Sequence, residues 1–487
     1  MRTETKQLFR TSTIYSIGNI FVKLVAFVLI PLYARKLAPN EYGVVAILEL
    51  MEQLGKTIFA FGLGQSLLRF YTQYKKQNRL DSLIFTIITF VFLVNTLLLG
   101  SMYLFPRPFV QQLFSLNAET IFYFRATLLI IMFGVFQAIF ITLLQAEERA
   151  FTFIIFTGIN FLLLISLNIY KVGVLEQGVR GIVESKLYVA ILNMIVVILY
   201  FSYRFKFRFS LNLWREITSY GMPFIFVGIS LTLLTLADRY ILKIFRTMAE
   251  VGIYSMAYKF GMILNMVLIT PFRQAFFPLM FRLYEDQDTK NLYRNFLTYF
   301  LFLGLWFSLG LSILAKEILV LATSPKYVEG YVIIPLITFS YVLFGIRTIL
   351  VNALATQKET KVVAYSTMVG ALMNLLLNIV FIPIWGIMGA AVATIASYLL
   401  ILLTTYFPQQ KIYPVNWDWR RAGQLTVVTA VLFLTGFFFP ESNLFVTLAG
   451  KLVLFGLFPI LLYVIRFFQP GELRIVKSVI HSFTHKR

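Results

Sequence analysis

Apolar runs of membrane-spanning length follow one another along this whole chain, and that leaves its backbone few choices. A peptide group in hydrocarbon has no water to bond, so a spanning segment closes its hydrogen bonds within a helix or around a closed barrel. A barrel is written as short segments of alternating polarity. Here the runs are continuous, near 11–34, 42–64, 82–105, 119–144, 151–170, 180–203, 219–244, 251–281, 295–317, 329–355, 361–384, 387–407, 422–439 and 445–466. They predict an all-α polytopic membrane protein of about 14 helices, each close to the ~20 residues that a bilayer requires. Only 13% of the 487 residues are charged, about half the share found in soluble domains.

Charge in the connections sets orientation. Arg69–Arg79, Arg204–Arg215, Arg282–Arg294, Lys358–Lys361, Lys411–Arg421 and the tail from Arg466 are basic, whereas Phe105–Asn117 and Pro440–Asn443 are nearly free of lysine and arginine. The positive-inside rule then places both termini in the cytoplasm. The same distribution accounts for the +21 formal charge without nucleic acid. The first apolar run is too long for a signal-peptide core and lacks a small-residue cleavage site, so it reads as a retained span. With no cysteine and histidine only at 481 and 485, a disulfide framework, a thiolate metal site or a histidine centre within the membrane is excluded, and no cofactor is expected.

Three motifs recur about 210 residues apart in the same order. Glu41-Tyr42-Gly43 is matched by Glu250-Val251-Gly252. Gly134 with Gln145 and Glu148 is matched by Gly345 with Thr356 and Glu359. Gly178-Val179-Arg180-Gly181 is matched by Gly386-Ile387-Met388-Gly389. The reading is an N-terminal lobe over 1–210, a C-terminal lobe over 211–412, and two extra spans with a tail over 413–487. Each lobe holds an even number of spans, so the repeat is parallel, a pseudo-twofold along the membrane normal.

Lys23, Lys56, Lys259, Arg273 and Arg347 lie deep inside apolar runs. Each costs roughly 2.5–3.5 kcal/mol at a helix centre facing lipid, so together they point to a water-filled cavity suited to something anionic. Tyr15, Asn19 and Lys23 form one polar stripe, and Glu49, Glu52 and Lys56 share another face. Two readings of the second stripe stand: an ion-pair set internal to one lobe, or a lysine on a cavity wall beside carboxylates that answer to a coupling ion. Lys259 and Arg273 are close to four turns apart and can point the same way on a regular helix, although Arg273 can equally snorkel. Arg125 and Asp238-Arg239 suit structural anchoring near span ends, and Asn374 with Asn378 suits bonding across helices.

Enzyme signatures fail on context. Gly55-Lys56-Thr57 resembles the tail of a P-loop, but Leu50 stands where the first glycine belongs. Asp286-Gln287-Asp288 has a metal–nucleotide-sugar spacing but stands alone in a short loop. A membrane glycosyltransferase or polymerase would also need a sizeable outer loop, and none is present.

Asp238-Arg239-Tyr240 followed by Val251-Gly252-Ile253-Tyr254-Ser255-Met256-Ala257-Tyr258-Lys259, then Asn374-Leu375-Leu376-Leu377-Asn378 through Ile382-Pro383 to Gly386-Ile387-Met388-Gly389-Ala390-Ala391, resemble the polysaccharide transporter branch of the multidrug/oligosaccharidyl-lipid/polysaccharide exporter superfamily. Pro31-Leu32-Tyr33-Ala34-Arg35 and Glu41-Tyr42-Gly43 fit as well. The resemblance implies a non-enzymatic flippase in the bacterial inner membrane, moving an undecaprenyl-pyrophosphate-linked oligosaccharide by alternating access for surface polysaccharide such as O-antigen. It implies drive from an ion gradient or membrane potential. Lys23, Lys56, Lys259, Arg347, Arg273 and Asn19 become substrate-binding candidates, Glu49 and Glu52 ion-coupling candidates. The expected partners are the lipid-linked glycan, membrane lipids and a polysaccharide polymerase or chain-length regulator. The rival is a cation-coupled multidrug or metabolite exporter of the same superfamily. Such relatives often carry an acidic cation site in the N-terminal lobe, whereas the deep ionisable residue of the first span here is Lys23.

Overall fold

Long apolar segments bounded by polar or small residues become helices in the computed structural model, which describes residues 28–283, 288–440 and 443–472. In order these are α1 (Ile30–Lys36), α2 (Pro39–Phe59), α3 (Leu63–Lys76), α4 (Leu80–Leu104), α5 (Arg107–Leu113), α6 (Ala118–Ala146), α7 (Ala150–Asn168), α8 (Gly178–Arg204), α9 (Leu211–Phe245), α10 (Met248–Gly261), α11 (Thr270–Leu283), α12 (Thr289–Ile313), α13 (Ala315–Ala322), α14 (Ile334–Thr356), α15 (Thr360–Ile412), α16 (Trp419–Phe437) and α17 (Leu444–Val464). Polar side chains start several of them by accepting from an otherwise orphaned N–H. Asn117 accepts from Thr120 at 2.8 Å, Asp418 from Arg421 at 3.1 Å and Asn443 from Val446 at 2.9 Å.

Ten helical segments among the described residues are long and apolar enough to cross a membrane, so the protein is an all-helical, multi-pass membrane protein. The expected run at 11–34 lies mostly outside the described residues. The helix α2 is absent from the ten because it carries Glu41, Glu49, Glu52 and Lys56. The expected spans at 361–384 and 387–407 are joined in α15, whose backbone leaves helical geometry only at Gly386 (φ 56°, ψ −129°). Arg246 donates to the carbonyls of Ile382 and Pro383, at 3.2 and 2.8 Å, just before that break. The basic stretch from Arg69, expected as a connection, is helical as far as Lys76. Asn378 bonds the carbonyl and side chain of Asn374 along its own helix, at 2.8 and 3.0 Å, rather than across helices.

Two compact units emerge. One comprises Met1–Lys259, Ala322–Gly330 and Ala364–Ser397; the other comprises Phe260–Leu321, Tyr331–Val363 and Tyr398–Arg487. In the first, Leu63, Leu67, Phe70, Ile84, Ile87, Phe136, Ile139 and Phe140 join α3, α4 and α6 in one apolar core. In the second, glycine admits aromatic rings: Gly345 on α14 faces the ring of Phe300, and Gly310 on α12 that of Phe455. Small residues at such crossings gain close contact, which is the main attraction between helices in lipid.

Two of the three recurring motifs meet within the first unit. A methyl group on Gly43 would collide with the carbonyl of Met248, and one on Gly252 with the carbonyl of Pro39. Each glycine thus sits one helical turn beyond the other's contact, so α2 and α10 cross backbone to backbone in a reciprocal way. Gly178 and Gly386 both have positive φ, at 55° and 56°. A Cβ on Gly178 would lie 3.4 Å from the Glu41 carboxylate, and one on Gly386 2.9 Å from that of Glu250. Neither Gly43 nor Gly252 has room for a methyl, so alanine at either forces the backbones apart at a cost of ~1–3 kcal/mol. Gly100 has open space around it, and Gly100→Ala is expected to be neutral. Thermal unfolding of the three variants in detergent checks this; equal midpoints would overturn the crossing.

Candidate functional site

In the first unit a cavity of about 350 Å³ is lined by charged and amide side chains from five helices. From α2 come Glu49, Glu52 and Lys56; from α6 Gly134 and Gln137; from α7 Thr157, Asn160 and Asn168; from α8 Lys186 and Asn193; and from α10 Lys259. The spacing of α2 puts its three charges on one face, and Val45, Ala46, Leu48 and Leu50 around it are buried.

Glu52 lies at the centre of the charge network. Its Oε1 accepts from Lys56 Nζ at 2.6 Å and its Oε2 from Lys186 Nζ at 2.9 Å. Glu49 accepts from Lys259 Nζ at a longer 3.3 Å, and the Lys259 ammonium also lies 5.2 Å from the ring centre of Tyr42. The groups keep access to the cavity: the side chains of Lys56, Lys186 and Glu52 are 37%, 25% and 19% exposed. Gly134 gives the Lys56 tail its place, since a side chain there would collide with it. Three lysines against two carboxylates leave the described lining with one net positive charge. The amides add hydrogen-bonding capacity. Asn168 accepts from Tyr33 at 2.7 Å, whereas the buried Oδ1 of Asn160 has no partner. Such an acceptor suits a hydroxyl rather than an anion.

Arg273 and Arg347 line a different cavity, of about 430 Å³ in the second unit, together with Gln274, Phe277, Phe344 and Thr348. Arg347 is buried, with Nε donating to Thr405 at 3.3 Å and a terminal nitrogen to the Val363 carbonyl at 3.4 Å. Lys259 and Arg273 therefore line different cavities. Regular spacing would align them, but Asn265–Ile269 forms a π-helix between α10 and α11, and its wider turn shifts the angular phase of everything after it. Tyr15, Asn19, Lys23 and Asp286-Gln287 lie outside the described residues.

Sequence reading passed over Lys186, a lysine two turns into α8. Its signal was present, a cation inside an apolar run, but its closeness to the start of that run disguised its depth. Asp238 and Arg239 pair with each other at 2.8 Å, and Tyr254 donates to Asp238 at 2.5 Å. The Arg239 guanidinium lies 4.5 Å from the ring centre of Tyr258.

The sequence model described as "Polysaccharide biosynthesis protein" matches residues 8–284. The chain belongs to this family of polysaccharide biosynthesis proteins. It is 22% identical over 402 residues to a protein of the Lsg locus of Haemophilus influenzae, spanning 79% of this chain and 95% of that one. To a Haloferax volcanii protein described as a probable low-salt glycan biosynthesis flippase, Agl15, it is 22% identical, over 40% of this chain and 42% of the relative. Its fold matches that of the lipid II flippase MurJ in an inward closed conformation with a TM-score of 0.77 at 15% identity, covering 93% of this chain and 99% of that one. An inward-facing multidrug resistance MATE family transporter matches at 0.67 and 14% identity, covering 83% and 96%. The fold is therefore the one that MurJ and the MATE transporters share.

A second buried pair, also absent from the sequence reading, shows what an ion pair looks like away from a cavity. Lys451 on α17 donates to Glu317 on α13 at 2.7 Å, with side chains only 11% and 5% exposed. Removing one partner strands the other charge, so Lys451→Ala is expected to cost ~3–5 kcal/mol, while the double replacement by methionine restores most of that. Thermal unfolding of the single and double variants measures both, and an additive double variant would show that the two are not coupled.

Proposed function

We propose that this protein is a flippase for an anionic lipid-linked oligosaccharide, carrying an undecaprenyl-diphosphate-linked sugar across the bacterial inner membrane by alternating access. The observation that carries this reading is the cavity in which Lys56, Lys186 and Lys259 converge with only two carboxylates. A diphosphate crossing a low-dielectric region needs cations around it, and lysine supplies mobile point charges that can follow it. The unpartnered Asn160 Oδ1 and the neighbouring amides offer what a sugar hydroxyl needs. A cation exporter wants an excess of carboxylate in such a place, and the described lining has the opposite balance.

Several observations support two lobes, over 1–210 and 211–412, with 413–487 added to them. The paired glycines Gly43 and Gly252 cross reciprocally, and Gly178 and Gly386 share positive φ, each beneath the equivalent glutamate. Basic connections support cytoplasmic termini. Glu49 and Glu52 are the residues placed to couple an ion gradient to movement, because each holds a cavity lysine. Lys23 and Asn19 on the first span join the binding set in this reading, and Arg347 and Arg273 form a second cationic surface along the route. A polymerase or chain-length regulator would receive the flipped glycan.

Lys186→Ala and Lys259→Ala, expressed in the native host, are expected to lower surface glycan about tenfold or more, the effect of roughly 1.4 kcal/mol of lost binding. Immunoblotting should show unchanged protein in the membrane, and ethidium accumulation should not change. Normal polymer from both variants would overturn the cavity assignment, and ethidium retention in cells lacking the protein would favour the exporter.

A further inference from the structure

Glu52 divides its two oxygens between two cations, as Glu184 does with Lys171 and Arg180, but it does so on the wall of a cavity. It gives one oxygen to each of two lysines on different helices, Lys56 on α2 and Lys186 on α8. That arrangement is the one in which two oxygens of a phosphoryl group would be held. The site around it is built for the purpose. Gly134 clears the path of the Lys56 tail, and both lysines line the cavity from different helices. Glu52 and Lys186 are 19% and 25% exposed to that space, whereas the structural pair Lys451–Glu317 is 11% and 5% exposed. Neither of those last two residues lines a described cavity.

We infer that Glu52 is a resident counter-anion, which occupies the anion site of the empty transporter and which the substrate's phosphate displaces from Lys56 and Lys186. This deepens the flippase reading and rests on it. In the empty state Glu52 keeps the two ammonium groups apart and oriented, at lower cost than leaving them unpaired. The incoming anion exchanges one set of charge-assisted bonds for another, so the net gain is small and the substrate can leave again. Lys259 differs: its carboxylate partner is at 3.3 Å and its ammonium also rests against Tyr42. It can accept an anion without first losing a bridging partner.

The consequence is opposite to that of an ordinary binding residue, because removing Glu52 strengthens anion binding while weakening the empty protein. The test is titration of the full chain in nanodiscs with farnesyl diphosphate, with inorganic pyrophosphate and with uncharged farnesol. In Glu52→Gln both diphosphates are expected to bind at least tenfold more tightly than in wild type, with farnesol unchanged and a lower thermal midpoint. Lys186→Ala should weaken both diphosphates. If Glu52→Gln is not recovered folded, Glu52→Asp serves, since its shorter arm cannot bridge both lysines and it too should bind diphosphate more tightly. Unchanged or weaker diphosphate binding in the glutamate variant, or an equal gain for farnesol, overturns the counter-anion role and leaves the flippase reading standing. Absence of diphosphate binding to wild type overturns both.

Discussion

A charged side chain inside a membrane helix must meet water or an opposite charge, and the organisation of this protein follows from how each one does so. Two solutions are present. Lys451–Glu317, Lys171–Glu184 and Asp238–Arg239 are closed pairs, packed where little solvent reaches. Lys56 and Lys186 are paired as well, but on the wall of a cavity that keeps them accessible, and Lys259 lines the same cavity with a side chain 11% exposed. Closed pairs such as Lys451–Glu317 fix helices to one another at a high cost of desolvation. Accessible pairs keep part of their hydration and can exchange partners, which is what a transporter of anions requires.

The second solution imposes conditions on the helices that supply it. The charge-bearing face of α2 cannot turn to lipid, so α2 has to be enclosed, and Val45, Ala46, Leu48 and Leu50 along it are accordingly buried. Enclosure brings backbones close, and glycine meets that need where α2 crosses α10 at Gly43 and Gly252. Irregular helix geometry does the rest of the aiming. The π-helix at Asn265–Ile269 interrupts the regular helix between Lys259 and Arg273, and the break at Gly386 divides one long helix into two spans.

Much of this could be read from the order of residues. The span boundaries follow hydrophobicity alone, since apolar length is what the bilayer selects, and expected ends near 82–105 and 119–144 fall within two residues of Leu80–Leu104 and Ala118–Ala146. Charges deep in a run were legible for the same reason, as Lys56 and Lys259 show. Three things were not legible. The depth of Lys186 depended on where α8 enters the membrane, and its partner on α2 is distant in sequence. The π-turn between Lys259 and Arg273 leaves no mark in polarity. The Lys451–Glu317 pair joined a residue read as a plain member of an extra span to one near the end of another, and only packing brings them together.

The balance of charge in the cavity bears on the whole transport cycle and not only on binding. A carrier that alternates must reorient empty as well as loaded, and three unpaired lysines in a region of low dielectric would penalise the empty state. Two carboxylates among the lysines bring the described lining to one net positive charge, so the empty form carries a load that is small in either orientation. A diphosphate that takes Glu52's place moves that charge by only a few units in the other direction. Strong binding alone would stall such a protein, because equal and tight affinity in both orientations shifts nothing and slows release. A cation wall that already holds its own anions keeps affinity moderate, and that is the property which lets a strongly charged headgroup be picked up on one side and given up on the other.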